Sequence, residues 1–226
     1  MKFKSKAFTL TELLVALGII GAIAAMSIPS LMNHINRQTL TTQLKGLIGS
    51  FQQLTTDQMV KYKTKSLTNT DFTDPAKLLT EENFAMAQDC GDTTAGAKNC
   101  WKTSATGTAK IQYRLLSNTN TGIAGPGYKS IILKNGAIVG YRLTSEDLTD
   151  GDKMIGEFCY DINGNEPPNM SGRDYFCTFV TSRGKLIDTA DGTTLTVDEK
   201  IRKCTEGHGA NYCYGATVDS GWKMTY

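Results

Sequence analysis

The chain opens on a short polar stretch and then changes character. Residues 1–7 hold Lys2, Lys4 and Lys6, and from Phe8 the sequence reads FTLTELLVALGIIGAIAAMSIP, with Glu12 its only charge. Residues 8–28 number 21, roughly 31 Å as a helix at about 1.5 Å per residue. That is enough to cross a hydrocarbon core of about 30 Å. After Pro29 the pattern becomes one-sided. Leu40, Leu44, Leu47, Ile48, Phe51 and Leu54 recur at helical spacing, with Thr39, Thr41, Gln43 and Lys45 on the other side. The helix is predicted to end at 61–65, and the polar run 66–73 reads as a loop.

Period-two patterning begins only much later. Residues 80–127 read as a long connecting region rich in Thr, Gly and Asn, and loops of that length are uncommon unless they are functional. Then Lys129-Ser-Ile-Ile-Leu-Lys, Asn135-Gly136 and Ala137-Ile-Val-Gly-Tyr-Arg-Leu make the clearest hairpin in the chain. Asn-Gly predicts a type I′ turn there. Glu157-Phe-Cys-Tyr-Asp-Ile and Asp174-Tyr-Phe-Cys-Thr-Phe-Val are two further strands. Residues 190–226 show little periodicity and read as a tail tied by Cys204 and Cys213.

Composition narrows the function classes. A length of 226 residues suits one domain with an appendage. Lys+Arg 24 against Asp+Glu 22 gives a net charge of +2, too balanced for a protein that holds nucleic acid through a general basic field. Without Lys2, Lys4 and Lys6 the count is 24 − 3 = 21 against 22. Lys185, Arg202 and Lys203 are not clustered and read as solvated charges, so DNA is a partner without support. With only His34 and His208, and no G-x-S-x-G, H-E-x-x-H or G-x-x-x-x-G-K-[ST], no catalytic constellation is visible. An enzyme is not expected.

All six cysteines lie between Cys90 and Cys213, a distribution that fits an oxidising exterior beyond a cytoplasmic start. Spacings of 10 (Cys90 to Cys100), 18 (Cys159 to Cys177) and 9 (Cys204 to Cys213) suggest three local staples, one of about 15 connectivities that six cysteines allow. Zinc is the rival reading, disfavoured because there is no C-x-x-C.

Two processing schemes compete at the amino terminus. Ala22-Ile23-Ala24 has the small-residue form of a secretory cleavage site, which would release a soluble disulfide-bonded binding protein. Against it stands Glu12, since a carboxylate inside an apolar span costs on the order of 2.5–3.5 kcal/mol and usually has a task. The stretch Ala7-Phe8-Thr9-Leu10-Thr11-Glu12-Leu13-Leu14-Val15 resembles the cleavage and methylation motif of type IV pilins and type II secretion pseudopilins. The resemblance implies that prepilin peptidase cuts between Ala7 and Phe8 and methylates the new terminus. The family usually has Gly where this chain has Ala7. Cutting there leaves an ammonium four residues before Glu12, and in a parallel bundle it can pair with Glu12 of a neighbour. Thr9 and Glu12 also have the spacing of a capping box. In the family, Gly and Pro near Gly18, Gly21 and Pro29 mark where the helix loosens in the filament; close packing through small residues is the alternative.

The expected fold is α+β and pilin-like: a long N-terminal helix, half transmembrane, packed on an antiparallel β-sheet head with disulfide-stapled loops. Its expected parts are a leader at 1–7, a transmembrane and filament-core helix at 8–28, an amphipathic half at 29–65 and a globular head at 66–226. The expected protein is a structural subunit of a type IV pilus or a secretion pseudopilus. A minor pilin that primes filaments or serves DNA uptake is the nearest alternative. Its partners would be other pilins in a homo- or hetero-polymer, prepilin peptidase, the inner-membrane assembly platform and, before assembly, the lipid bilayer. The three lysines place the amino end in the cytoplasm, with a single pass through the inner membrane and a periplasmic or cell-surface filament beyond. No cofactor is required. Asp161, Asn163, Asn165 and Asp174 could wrap a hard cation such as calcium, or could form a tight polar turn. Asn169-Met170-Ser171 also matches a glycosylation acceptor.

Overall fold

The computed structural model describes residues 9–91, 100–101, 113–117, 129–148, 150–164, 166–190 and 192–226. It divides into two compact units, Met1–Thr39 and Leu40–Tyr226. Helix α1 (Leu10–Lys61) contributes to both and runs through Pro29 without ending. In the second unit α1 shows the stripe expected of it: Leu44, Leu47, Ile48, Phe51 and Leu54 are buried, while Lys45, Gly46, Gly49, Gln53 and Asp57 are exposed. Two single-turn 3-10 segments, Leu67–Asn69 and Asp71–Thr73, follow with the short helix α2 (Pro75–Leu78). The loop predicted at 66–73 is therefore wound. Asp71 fastens it to the end of α1 by accepting hydrogen bonds from Gln58 Nε2, Lys61 Nζ and the Tyr62 hydroxyl.

The sheet is an antiparallel meander in sequence order: β1 (Met86–Asp89), β2 (Lys129–Leu133), β3 (Ile138–Asp147), β4 (Lys153–Asp161), β5 (Tyr175–Thr181) and β6 (Leu186–Ile187). This is the α+β, pilin-like architecture that the sequence implies. Both sheet faces are covered, so alternate residues of β4 and β5 enter different cores. Phe158, Tyr160, Phe176 and Val180 pack with the α1 stripe. There Phe51 stacks on Phe158 at 4.5 Å and meets Tyr160 edge-on at 5.6 Å. Cys159, Tyr175 and Cys177 join Cys90, Cys100, Trp101 and Tyr113 on the opposite face.

Three expectations are corrected. The β2–β3 connection is not a type I′ turn: Gly136 has φ 88°, but Lys134 and Asn135 are not among the positive-φ residues. Gly136 N–H donates to Leu133 O, and Leu133 pairs with Ala137 across the three-residue loop. Only the glycine needs the left-handed region in such a loop. The region 80–127 contains β1, an edge strand held by β2 alone. The tail is helical, with α3 (Val197–Glu206) and α4 (Ala210–Asp219). A complete capping box, Thr196 with Glu199, starts α3, and Gly207 in the left-handed conformation ends it. Lys200, 7% exposed, holds the pair together, with Nζ 2.7 Å from both Asp188 and Asp219.

Candidate assembly site

Thr9 and Glu12 open α1. The Thr9 backbone N–H and hydroxyl donate to Glu12 Oε2 at 2.9 and 2.8 Å, and the Glu12 N–H donates to Thr9 Oγ1 at 3.2 Å. This reciprocal box satisfies donors that a helix start leaves open, and it sets the carboxylate at the positive end of the helix dipole. Glu12 Oε1 accepts no hydrogen bond among the described residues. Capping therefore occupies Oε2 of this carboxylate. Ala7 and Phe8, the expected scissile pair, lie outside the described residues.

Between Leu13 and Met26 α1 is apolar on every side. It contains a window of mean hydropathy 2.2, none of it buried, and is long and apolar enough to cross a membrane. Leu10 is 73% and Met26 82% exposed. A helix with no polar face is stable only where lipid or other helices cover it. Gly18 and Gly21 leave its surface open, since a Cβ added at either would meet nothing within 4 Å.

The cysteines stand in three pairs at disulfide distance, Cys90–Cys100, Cys159–Cys177 and Cys204–Cys213, with Cα–Cα separations of 5.8, 4.1 and 4.7 Å. Cys159 and Cys177 are directly opposed on β4 and β5. Glu157 lies beside them, near enough for three ligand atoms to gather, but each sulfur is bonded to the other and offers no thiolate. Glu157 is instead engaged by Arg142, whose Nη2 is at 2.7 Å, and by Asn211 Nδ2 at 3.1 Å. Sequence reading singled out neither partner; their approach depends on the β3–β4 register and on the unpredicted α4.

Asp161 and Asp174 are both fully buried. Asp161 Oδ2 accepts from the Tyr113 hydroxyl at 2.7 Å, and its Oδ1 accepts from the Asn163 N–H at 3.3 Å. Asp174 accepts from the N–H groups of Asn169 and Met170, each at 2.6 Å. Burial pushes both carboxyls up, Asp174 to about 6, and the charge of Asp174 raises Asp161 further. Asn163 and Asn169 each keep a buried amide oxygen that has no hydrogen bond among the described residues. Asp161, Asn163 and Asp174 thus fall in one segment, Asn169 joins them, and Asn165 lies outside the described residues. The segment is organised first as a polar turn in which carboxylates hold backbone N–H groups. Asn169, with φ 50° and 8% exposure, faces inward, so the folded head presents no glycosylation acceptor there.

Residues 2–28 match a family model described as "Prokaryotic N-terminal methylation motif", the signature of type IV pilins and pseudopilins. No curated protein and no solved structure matches the chain.

Proposed function

We propose that this chain, which carries the pilin and pseudopilin signature at its amino end, is a non-enzymatic structural subunit of a type IV pilus or a type II secretion pseudopilus. The observation that carries the proposal is the exposed, wholly apolar start of α1 with a single carboxylate, Glu12, set inside the methylation motif. In this reading prepilin peptidase cuts between Ala7 and Phe8 and methylates Phe8. The apolar segment holds the subunit in the inner membrane, amino end in the cytoplasm, until an assembly platform moves it into the filament. Glu12 then pairs with the amino terminus of a neighbouring subunit.

The test is the mass of the amino-terminal peptide from protein made in its own bacterium. A terminus at Phe8 carrying one added methyl group is expected. A terminus at Ala25 overturns the proposal and leaves a secreted binding protein. Intact Met1 overturns the processing step.

The proposed subunit works without a resident cofactor for chemistry. We propose that a structural calcium ion binds the segment from Asp161 to Asp174, a reading supported by two buried carboxylates that repel each other and two buried amide oxygens with no hydrogen bond among the described residues. Calcium is then expected to raise the melting temperature at neutral pH, with the rise lost in Asp161→Asn. An unchanged melting temperature overturns calcium binding and leaves a hydrogen-bonded turn.

A further inference from the structure

The head contains a groove that the processing motif does not account for. Its volume is about 640 Å³. One wall is the outer face of α1, with Gly46, Gly49, Ser50, Gln53 and Asp57, and Glu82 stands on the other side. Glycine costs about 1 kcal/mol in a helix interior. A Cβ at Gly46 or Gly49 would meet nothing within 4 Å, so nothing inside the head requires those side chains to be absent. The notch is open to something that approaches from outside.

Charge points to what that is. Asp57 accepts a hydrogen bond from Gln53 Nε2 and has no ion-pair partner among the described residues. Glu82 already shares Lys61 with Asp71, which leaves the groove acidic. Twelve residues earlier on the same helix, Lys45 is exposed over the Trp222 ring, 5.8 Å from its centroid, and it too has no ion-pair partner among the described residues. Lys45 and Asp57 are separated by about 18 Å along the helix and about 120° around it. One helix therefore presents opposite charges, each without an ion-pair partner among the described residues, on two different faces displaced along its axis.

We propose that this groove is a contact between copies of the chain, in which Lys45 of one copy reaches Asp57 of the next and Gly46 and Gly49 let the two helices approach closely. A contact between two unlike faces is heterologous. With an axial offset it does not close on itself, and so it continues as a helical array. The inference rests on the filament reading above and names the surface that reading would use in the head.

The test uses the full chain in its own bacterium, reading sheared filament yield and the amino-terminal peptide for each variant. Lys45→Glu and Asp57→Lys are each expected to lower yield roughly tenfold or more, because attraction becomes repulsion at a repeated contact. The double reversal Lys45→Glu with Asp57→Lys is expected to return yield to about the natural level. Gly46→Ala with Gly49→Ala is expected to raise the melting temperature of the subunit while lowering yield, so misfolding cannot explain the loss. Single reversals that assemble normally, or a double reversal no better than either single one, overturn this surface while the filament reading stands. A natural chain with no methylated Phe8 and no filament overturns both.

Discussion

Glutamine at position 12 separates two roles that alanine removes together. A capping box accepts Gln in place of Glu, so Glu12→Gln keeps an oxygen for the Thr9 N–H and hydroxyl, now at 2.9 and 2.8 Å from Oε2. Its effect on the helix start should be small, whereas Glu12→Ala loses the half of the box that the carboxylate supplies, the bonds from the Thr9 N–H and hydroxyl. The proposed pairing responds differently. Without the carboxylate a neighbour's ammonium is left buried and unpaired, which costs about 3–5 kcal/mol per contact. Gln and Ala should therefore be nearly equal in assembly and unequal at the helix start. Filament yield in cells, with amide exchange at residues 10–14 of detergent-solubilised subunit, reads the two effects separately. Both variants are expected to be processed at Phe8 and to give almost no filament, with faster exchange only in Glu12→Ala. Normal filament yield from Glu12→Gln would refute the pairing and leave capping as the whole role of the residue.

Four further outcomes follow from the head. Phe51→Ala removes a fully buried ring that stacks on Phe158 at 4.5 Å and meets Tyr160 at 5.6 Å; it should cost about 3–5 kcal/mol in urea unfolding, against less than about 0.5 for Val60→Ala at an exposed site. Gly164→Ala places a Cβ 2.5 Å from the Gly136 carbonyl oxygen at φ 68°, and a loss of about 1–3 kcal/mol in the same assay is expected. Thr196→Ala removes the cap of α3 and should lower stability by about 1 kcal/mol. The folded pKa of Asp174 is raised from 3.8 to about 6, so its contribution is fully present below 3.8 and lost as pH rises through 6. Asp161, raised in the same direction, adds to that loss; Asp161→Asn should flatten the stability profile between about pH 4 and 6, and an unchanged profile would contradict the burial of this pair.

Legibility followed the range of the interactions. The α1 stripe and the Thr9–Glu12 box were readable because both are set within one or two helical turns. The hairpin at Asn135-Gly136 was readable, but its turn type was not, because Lys134 also belongs to the loop and only Gly136 takes a positive φ. β1 has no alternating pattern, since it is an edge strand with three exposed residues of four. α4 is buried on several sides at Ala210, Cys213, Tyr214 and Ala216 and so shows no stripe. α3 hides its inward face behind Lys200, which is buried only because Asp188 and Asp219 meet it there. Its start was nevertheless written locally, as Thr196 three residues before Glu199 and a stop at Gly207. Of the candidate site, Asp161 and Asp174 were visible as residue types. That both are buried, and that Asn169 turns inward beside them, depends on strand pairing and a left-handed residue that no short pattern specifies.

The two residue patterns within α1 bear on where each part can exist. From Leu40 onward one face is apolar and buried by the sheet, and the compact head begins at that same residue. Among residues 10–28 the large apolar side chains point to all sides, and the chain itself buries none of the most hydrophobic window. Water is excluded as a lasting environment for that segment by the hydrophobic effect, at about 25 cal/mol for each Å² left exposed. Lipid satisfies the apolar surface but not the carboxylate, whose Oε2 takes two hydrogen bonds from Thr9 and whose Oε1 takes none among the described residues. A bundle of like helices covers the same surface and, under the proposed function, also brings an ammonium to the remaining oxygen. On that proposal membrane and filament are successive environments of one segment, and Glu12 is the residue that makes the second better than the first.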